Sequence, residues 1–185
     1  MSTIPSAEVV AYWLAAGPRK WFAKDEAFDA DIRARFEALH FAAARRELDA
    51  WAATGESLLG LLLLVDQFPR NMYRGSAHAF ATDPLARMFA RQALERGFDR
   101  AADKAVRPFF YLPFEHSEFL ADQDFGCERV AQWVDEGGDA DTLKWANIHR
   151  DIIKRFGRFP HRNAAFGRES TPEELAFLAD GGFSG

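Results

Sequence analysis

Cysteine is almost missing from this sequence. Cys127 stands alone, which excludes an intramolecular disulfide and any C-x-x-C metal or redox motif. Lysine is nearly as scarce, 5 residues against 18 arginines, and acidic residues exceed basic ones by 28 to 23. A net charge of −5 with the two signs interspersed argues against a dedicated nucleic-acid binder. Long apolar runs are also lacking. The longest is Leu58 to Val65, interrupted only by Gly60 and closed by Asp66, and eight residues fall short of the roughly 20 that span a bilayer. No basic flank followed by an apolar stretch marks the N-terminus as a signal peptide. These gaps point to a protein of the reducing cytoplasm that neither enters a membrane nor binds nucleic acid. What is present is ample material for a core. Among 185 residues 48% are hydrophobic and 18 are Phe, most of them at helical spacing and so expected inside.

The patterning is helical nearly everywhere. Val9, Val10, Trp13 and Leu14 form a first stripe, opened by Pro5-Ser6 and stopped by Gly17-Pro18. Phe28, Ile32, Phe36, Leu39 and Ala43 share one face of a second helix with Asp25 as its N-cap. Leu58 to Val65 is apolar on all sides, which predicts a central buried helix ending at Gln67 or Phe68, before Pro69. Asp83-Pro84 reads as an N-cap followed by a first-turn proline, and Gly97 as a stop. A helix starting near Pro113 is expected to carry Glu115 to Asp122, and another to cover about 125–134. Asp141 is expected to cap a helix that runs through Trp145, His149, Ile152 and Phe156 to Gly157. Thr171-Pro172-Glu173-Glu174 is a capping box that opens a last short helix. No segment alternates with period two, and no hairpin dipeptide separates two β-rich runs. The expectation is an all-α single domain over residues 1–185 with seven or eight helices.

Polar residues set into apolar helical surroundings form three clusters. The first is Asp66-Gln67-Phe68-Pro69-Arg70-Asn71, delivered from the core at the end of the central helix. A buried Asp66 needs a partner, and an internal pair with Arg70 is one solution. The second is Glu115-His116-Ser117-Glu118 with Asp122 and Gln123. On one helix Glu115, Glu118 and Asp122 would share a face and repel, unless a metal, arginines or a proton intervenes. Paired Glu-x-x-His motifs of a di-metal bundle are missing, so arginine partners are expected and no metal. The third holds His149 on an apolar face, then Arg155, Gly157-Arg158-Phe159-Pro160-His161-Arg162-Asn163. Three arginines and a histidine around a glycine and a proline suit an anion, because guanidinium offers a planar fork. They equally suit a loop that neutralises Glu115, Glu118 and Asp66. Phe68-Pro69-Arg70-Asn71 and Phe159-Pro160-His161-Arg162-Asn163 echo each other 91 residues apart. No G-x-S-x-G, H-E-x-x-H, Walker or dinucleotide fingerprint occurs, so no cofactor is expected. Cys127 has no histidine or base beside it and reads as a structural thiol.

Together the three clusters, with Trp21-Phe22, Phe80-Ala81-Thr82-Asp83-Pro84 and Thr171-Pro172-Glu173-Glu174-Leu175, resemble the bacterial family of unknown function DUF924 from about residue 8 to 183. The resemblance implies a tetratricopeptide-like array of helical hairpins. It implies no activity, substrate or catalytic residue. From the residues themselves, two functions compete. One is a small-molecule site, with hydrolysis as its default reaction and Glu115, His116, Glu118 and His161 as acid–base candidates. Asp66, Arg70, Asn71, His149, Arg158, Arg162 and Asn163 would line it around a small anionic ligand. The other is a helical module that binds a peptide or protein without catalysis. For the first, the three clusters are expected to converge in space.

Overall fold

The structure is a computed structural model that describes residues 4–184. Helix is the regular structure, with no strand among the described residues, as the 3.6-residue stripes require. Among the described residues there are ten helices when 55–72 is counted as one, against the seven or eight expected. The surplus is three single turns, Pro18–Trp21, Phe98–Ala101 and Leu112–Glu115. Each is too short to show a hydrophobic period, and each sits beside a proline or glycine that reads as a break. The described residues group into two compact units, 4–74 with His78–Pro113, and Gly75–Ala77 with 114–184.

The first unit is built on the helix 55–72. Leu58, Leu59 and Leu61 to Val65 are at most 4% exposed, so the apolar-all-round stripe is the buried centre of its unit. It packs against the helices Ser6–Ala16, Glu26–Ala44 and Asp83–Glu95. Trp13, Phe36, Phe68 and Phe109 are buried with it, and the Trp13 ring lies 5.6 Å from Phe68 and 5.9 Å from Trp21. Asp25 caps Glu26–Ala44 as expected, its carboxylate accepting from the N–H groups of Ala27 and Phe28.

The central helix does not end before Pro69. It runs as an α-helix over Gly55–Leu62, widens to a π-turn over Leu63–Gln67, and resumes as an α-helix over Phe68–Met72. The widening shows in one bond: the Phe68 N–H donates to Leu63 O, five residues back. That leaves Leu64 O without its intrahelical donor, and Pro69 has no N–H to give Val65 O. Both carbonyls are buried, and both are satisfied from other elements. His40 Nδ1 donates to Leu64 O at 2.8 Å, and Thr82 Oγ1 donates to Val65 O at 2.6 Å. With its proton on Nδ1, His40 presents Nε2 as an acceptor, and His78 Nε2 stands 3.2 Å from it. A proline is tolerated mid-helix here because side chains replace what it removes.

The second unit carries two long helices, Leu120–Asp135 and Ala140–Phe156, packed against each other. At the connection a Cβ on Gly138 would collide with the Trp133 indole, so only glycine lets the chain turn there. Asp139, not Asp141, caps the second helix, accepting from the Asp141 N–H. Gly157 ends it in the left-handed conformation, as expected. Ile152, Ile153 and Phe159 form a core that Phe156, Phe177 and Phe183 cover. The Thr171 capping box opens Pro172–Ala179 as expected.

The helix expected over Glu115 to Asp122 does not exist. Leu112–Glu115 is a single turn, the chain breaks over 116–119, and Leu120–Asp135 begins afresh. Ser117 makes the break. Its hydroxyl donates to Asp122 Oδ2 at 2.7 Å and accepts from the Phe119 N–H. The three carboxylates therefore do not stack on one face, and each takes a separate partner set.

Candidate functional site

Of the expected site residues, Asp66, Arg70 and Asn71 lie in the first unit. Glu115, His116, Glu118, His149, Arg158, His161, Arg162 and Asn163 lie in the second. Arg70 projects from the last turn of the helix 55–72 and forks onto Asp83, Nη1 to Oδ1 at 2.9 Å and Nη2 to Oδ2 at 3.0 Å. The same Nη1 bonds Asp66 O at 2.6 Å and stands 3.4 Å from the Asp66 carboxylate, which also accepts from Gln67. Burial alone would push the Arg70 guanidinium down, but Asp83 and Asp66 outweigh it and raise it. The Asp66–Arg70 pair foreseen from sequence is thus a minor contact. Asp83, read as an N-cap, is instead the first helical residue, with its carboxylate spent on Arg70. Asn71 bonds Asp29, which Arg74 also holds. Each of these groups is engaged by a contact within the first unit.

The second and third clusters meet within the second unit. The Phe159 N–H donates to Glu118 Oε1 at 2.9 Å, and Arg162 Nη1 donates to His116 O at 3.0 Å. Glu118 is forked by Arg168, at 2.7 and 2.9 Å. Burial pushes the Glu118 carboxyl up, but the Arg168 fork and the Phe159 N–H outweigh it and hold the group below the usual carboxylate range. Arg158 forks onto buried Glu174 at 2.6 and 2.8 Å, and Asn163 donates to the same carboxylate at 3.2 Å. That fork, with the Thr171 N–H, lowers Glu174 from the ordinary 4.5 to about 2. Arg162 lies over the Phe159 ring at 4.4 Å. Arg168 and Glu174 were missed as partners. Arg168 follows a glycine in a plain loop, and Glu174 already had a use in the capping box.

Glu115 is different. It ends the turn Leu112–Glu115, pressed into place because Gly126 allows its helix to approach: a Cβ there would stand 3.0 Å from Phe114 Cβ. Its side chain is 2% exposed. Oε2 stands 3.4 Å from His149 Nδ1, a contact that completes a hydrogen bond for neither atom, and Oε1 has no hydrogen-bond partner among the described residues. Gln123, wholly buried, donates to Glu115 O at 2.6 Å and Ser117 O at 2.7 Å, while its own Oε1 is unpartnered. His149 is 8% exposed, so its place on the apolar stripe is a buried one. Phe183 stands edge-on to His149 at 4.6 Å and to His161 at 5.2 Å, and Phe159 lies 5.7 and 5.5 Å from the same two rings. A buried carboxylate faces an imidazole, then, beside a second imidazole and between two phenyl rings. Such a pair can exchange protons, and an unpaired buried oxygen is costly unless something supplies a donor. Among the described residues no three His, Cys, Asp or Glu side chains gather as a metal-ligand set, and Cys127 is buried, its thiol pushed up by burial.

No curated protein matches this chain. A protein of unknown function from Agrobacterium tumefaciens, ATU0120, is similar in structure, with a TM-score of 0.89 and 52% sequence identity over 95% of this chain and 97% of that one. Residues 9–182 match the family described as bacterial protein of unknown function, DUF924, and the chain belongs to that family.

Proposed function

We propose that the protein acts on or binds a small molecule at Glu115, with His149 as its proton-exchange partner and His161 beside them. The observation that carries this reading is the buried Glu115 carboxylate with Oε1 unpartnered and Oε2 facing the His149 imidazole. In that arrangement Glu115 serves as general base and His149 as general acid, and hydrolysis of a small substrate is one reaction class such a pair catalyses without a cofactor. The arginines expected to hold an anion lend less support. Arg70 and Arg158 are forked by Asp83 and Glu174, and Glu118, an acid–base candidate in sequence, is held ionised by Arg168. The tetratricopeptide-like array rests on the family resemblance and on the pairing of Leu120–Asp135 with Ala140–Phe156 alone.

The test is a thermal-shift screen of metabolites on the wild type and on Glu115→Gln, preceded by native mass spectrometry for any retained compound. A compound that stabilises the wild type and not the variant is expected. Compounds that stabilise both equally, with none that separates them, contradict the reading.

A further inference from the structure

We propose that His40 and His78 form a proton-operated clasp, which holds the turn Ala77–Phe80 on the helix Glu26–Ala44 near neutral pH and releases it in acid. The clasp stands in the first unit, apart from Glu115, and does not depend on the function proposed above. Its geometry leaves room for one proton between the rings and no more. His40 is wholly buried, and its Nδ1–H is committed at 2.8 Å to Leu64 O, the carbonyl that the π-turn frees. Nε2 of His40 therefore carries a lone pair. His78 Nε2 stands 3.2 Å from it with the ring centroids 5.4 Å apart, so the rings meet nitrogen to nitrogen. A single N–H fills that gap, donated by His78. A proton gained by His78 leaves this bond in place and makes it charge-assisted. A second proton, on His40 Nε2, sets two N–H groups and two positive charges against each other. His78, half-buried and on a single 3₁₀ turn, is then the ring that leaves. Burial already disfavours a charged His40, and His78 adds to that. Charge nearby does not relieve the pair. Glu37, one turn before His40, is the carboxylate that favours a charged His40, and it is engaged by Arg33 Nε at 3.0 Å and by the Tyr73 hydroxyl at 2.8 Å. Ring contacts tether His78 after release, with Tyr73 stacked at 4.0 Å and Phe41 edge-on at 5.5 Å.

The closed pair holds one added proton and the released pair two. Acid therefore favours release by up to about tenfold per pH unit below the ordinary histidine value of about 6.5. Hydrogen exchange of the full chain reads this as protection factors over 77–81, where the Ala81 N–H donates to His78 O at 3.2 Å. Protection there at about pH 5 is expected to fall roughly 30-fold below that at about pH 8. The amides of Leu61 to Val65 stay the better protected at both, which marks the opening as local. In His40→Gln, where position 40 cannot charge, the acid loss disappears. In His78→Leu, where the clasp cannot form, protection is low at both pH values. Should His40→Gln fail to fold, His78→Gln takes its place: its amide donates to His40 as the imidazole does, without a charge of its own, and the acid loss falls several-fold short of the wild type's. Equal wild-type protection at the two pH values overturns the proposal. So does an acid loss in the glutamine variant as large as the wild type's, or wild-type protection in His78→Leu.

Discussion

Thr82→Val tests how the central helix survives its proline. Val65 O is the carbonyl that Pro69 cannot serve, and the Thr82 hydroxyl reaches it at 2.6 Å in a buried setting. Valine matches threonine in shape but carries no donor, so the substitution opens no cavity and removes one bond. Leaving a buried carbonyl unsatisfied costs about 1–3 kcal/mol. For a chain of this length that is a fall in Tm of roughly 2–12 °C, at about 2–4 °C per kcal/mol. Urea denaturation followed by far-UV circular dichroism, with and without Pro69→Ala, completes a double-mutant cycle. Alanine at 69 restores an N–H within reach of Val65 O, so in that background Thr82→Val is expected to cost less than about 0.5 kcal/mol, the range of an ordinary neutral substitution. Equal costs in the two backgrounds, or a loss below about 0.5 kcal/mol in the wild type, would refute the compensation argument.

Three further outcomes follow from the same geometry. Leu62→Ala, at a site 1% exposed, is expected to cost about 2–5 kcal/mol by denaturant unfolding, and a loss below about 1 kcal/mol contradicts its central placement. Glu174 is held near 2 instead of 4.5, so its contribution is complete above about pH 4.5 and is lost as pH falls toward 2; Glu174→Gln should flatten that acid limb, and an unchanged limb speaks against the fork with Arg158. Burial pushes the His40 imidazole below its ordinary 6.5, with the Leu64 carbonyl opposing and His78 adding to the fall. Its contribution is therefore complete above about pH 6.5 and declines as pH drops; stability measured across that range should lose this slope in His40→Gln, and a slope that persists assigns it to another group.

The all-α class was legible because stripes such as Phe28, Ile32, Phe36, Leu39, Ala43 report burial directly, and the caps at Asp25, Thr171 and Gly157 report helix ends. The errors share one cause: local rules were overridden by distant side chains. Pro69 is a helix terminator until Thr82 serves the carbonyl it cannot and His40 serves the one the π-turn leaves, and those residues lie 13 and 29 positions away. Asp83 is an N-cap by local chemistry until Arg70 claims its carboxylate. Glu115, Glu118 and Asp122 have helical spacing until Ser117 turns the chain between them. The same pattern governs the site. The charged residues were found from composition, but which were paired was not, because Arg168 reaches Glu118 across 50 positions and Glu174 reaches Arg158 across 16. The echo of Phe-Pro-Arg-Asn in Phe-Pro-His-Arg-Asn proves local too: the first copy continues a helix, and the second opens the 3₁₀ turn Pro160–Arg162. His149 was visible only as a histidine on an apolar face, and its meeting with Glu115 depends on two elements folding together.

The central claim is that Glu115 Oε1, unpartnered among the described residues, takes its hydrogen bond from a group outside the protein. A crystal structure of the gently purified protein at atomic resolution tests it at that atom. The account predicts a non-protein donor, a retained ligand or an ordered water, within about 3.2 Å of Oε1, with His149 still facing Oε2. A protein side chain or backbone N–H bonded to Oε1, with no room for anything else, would contradict it.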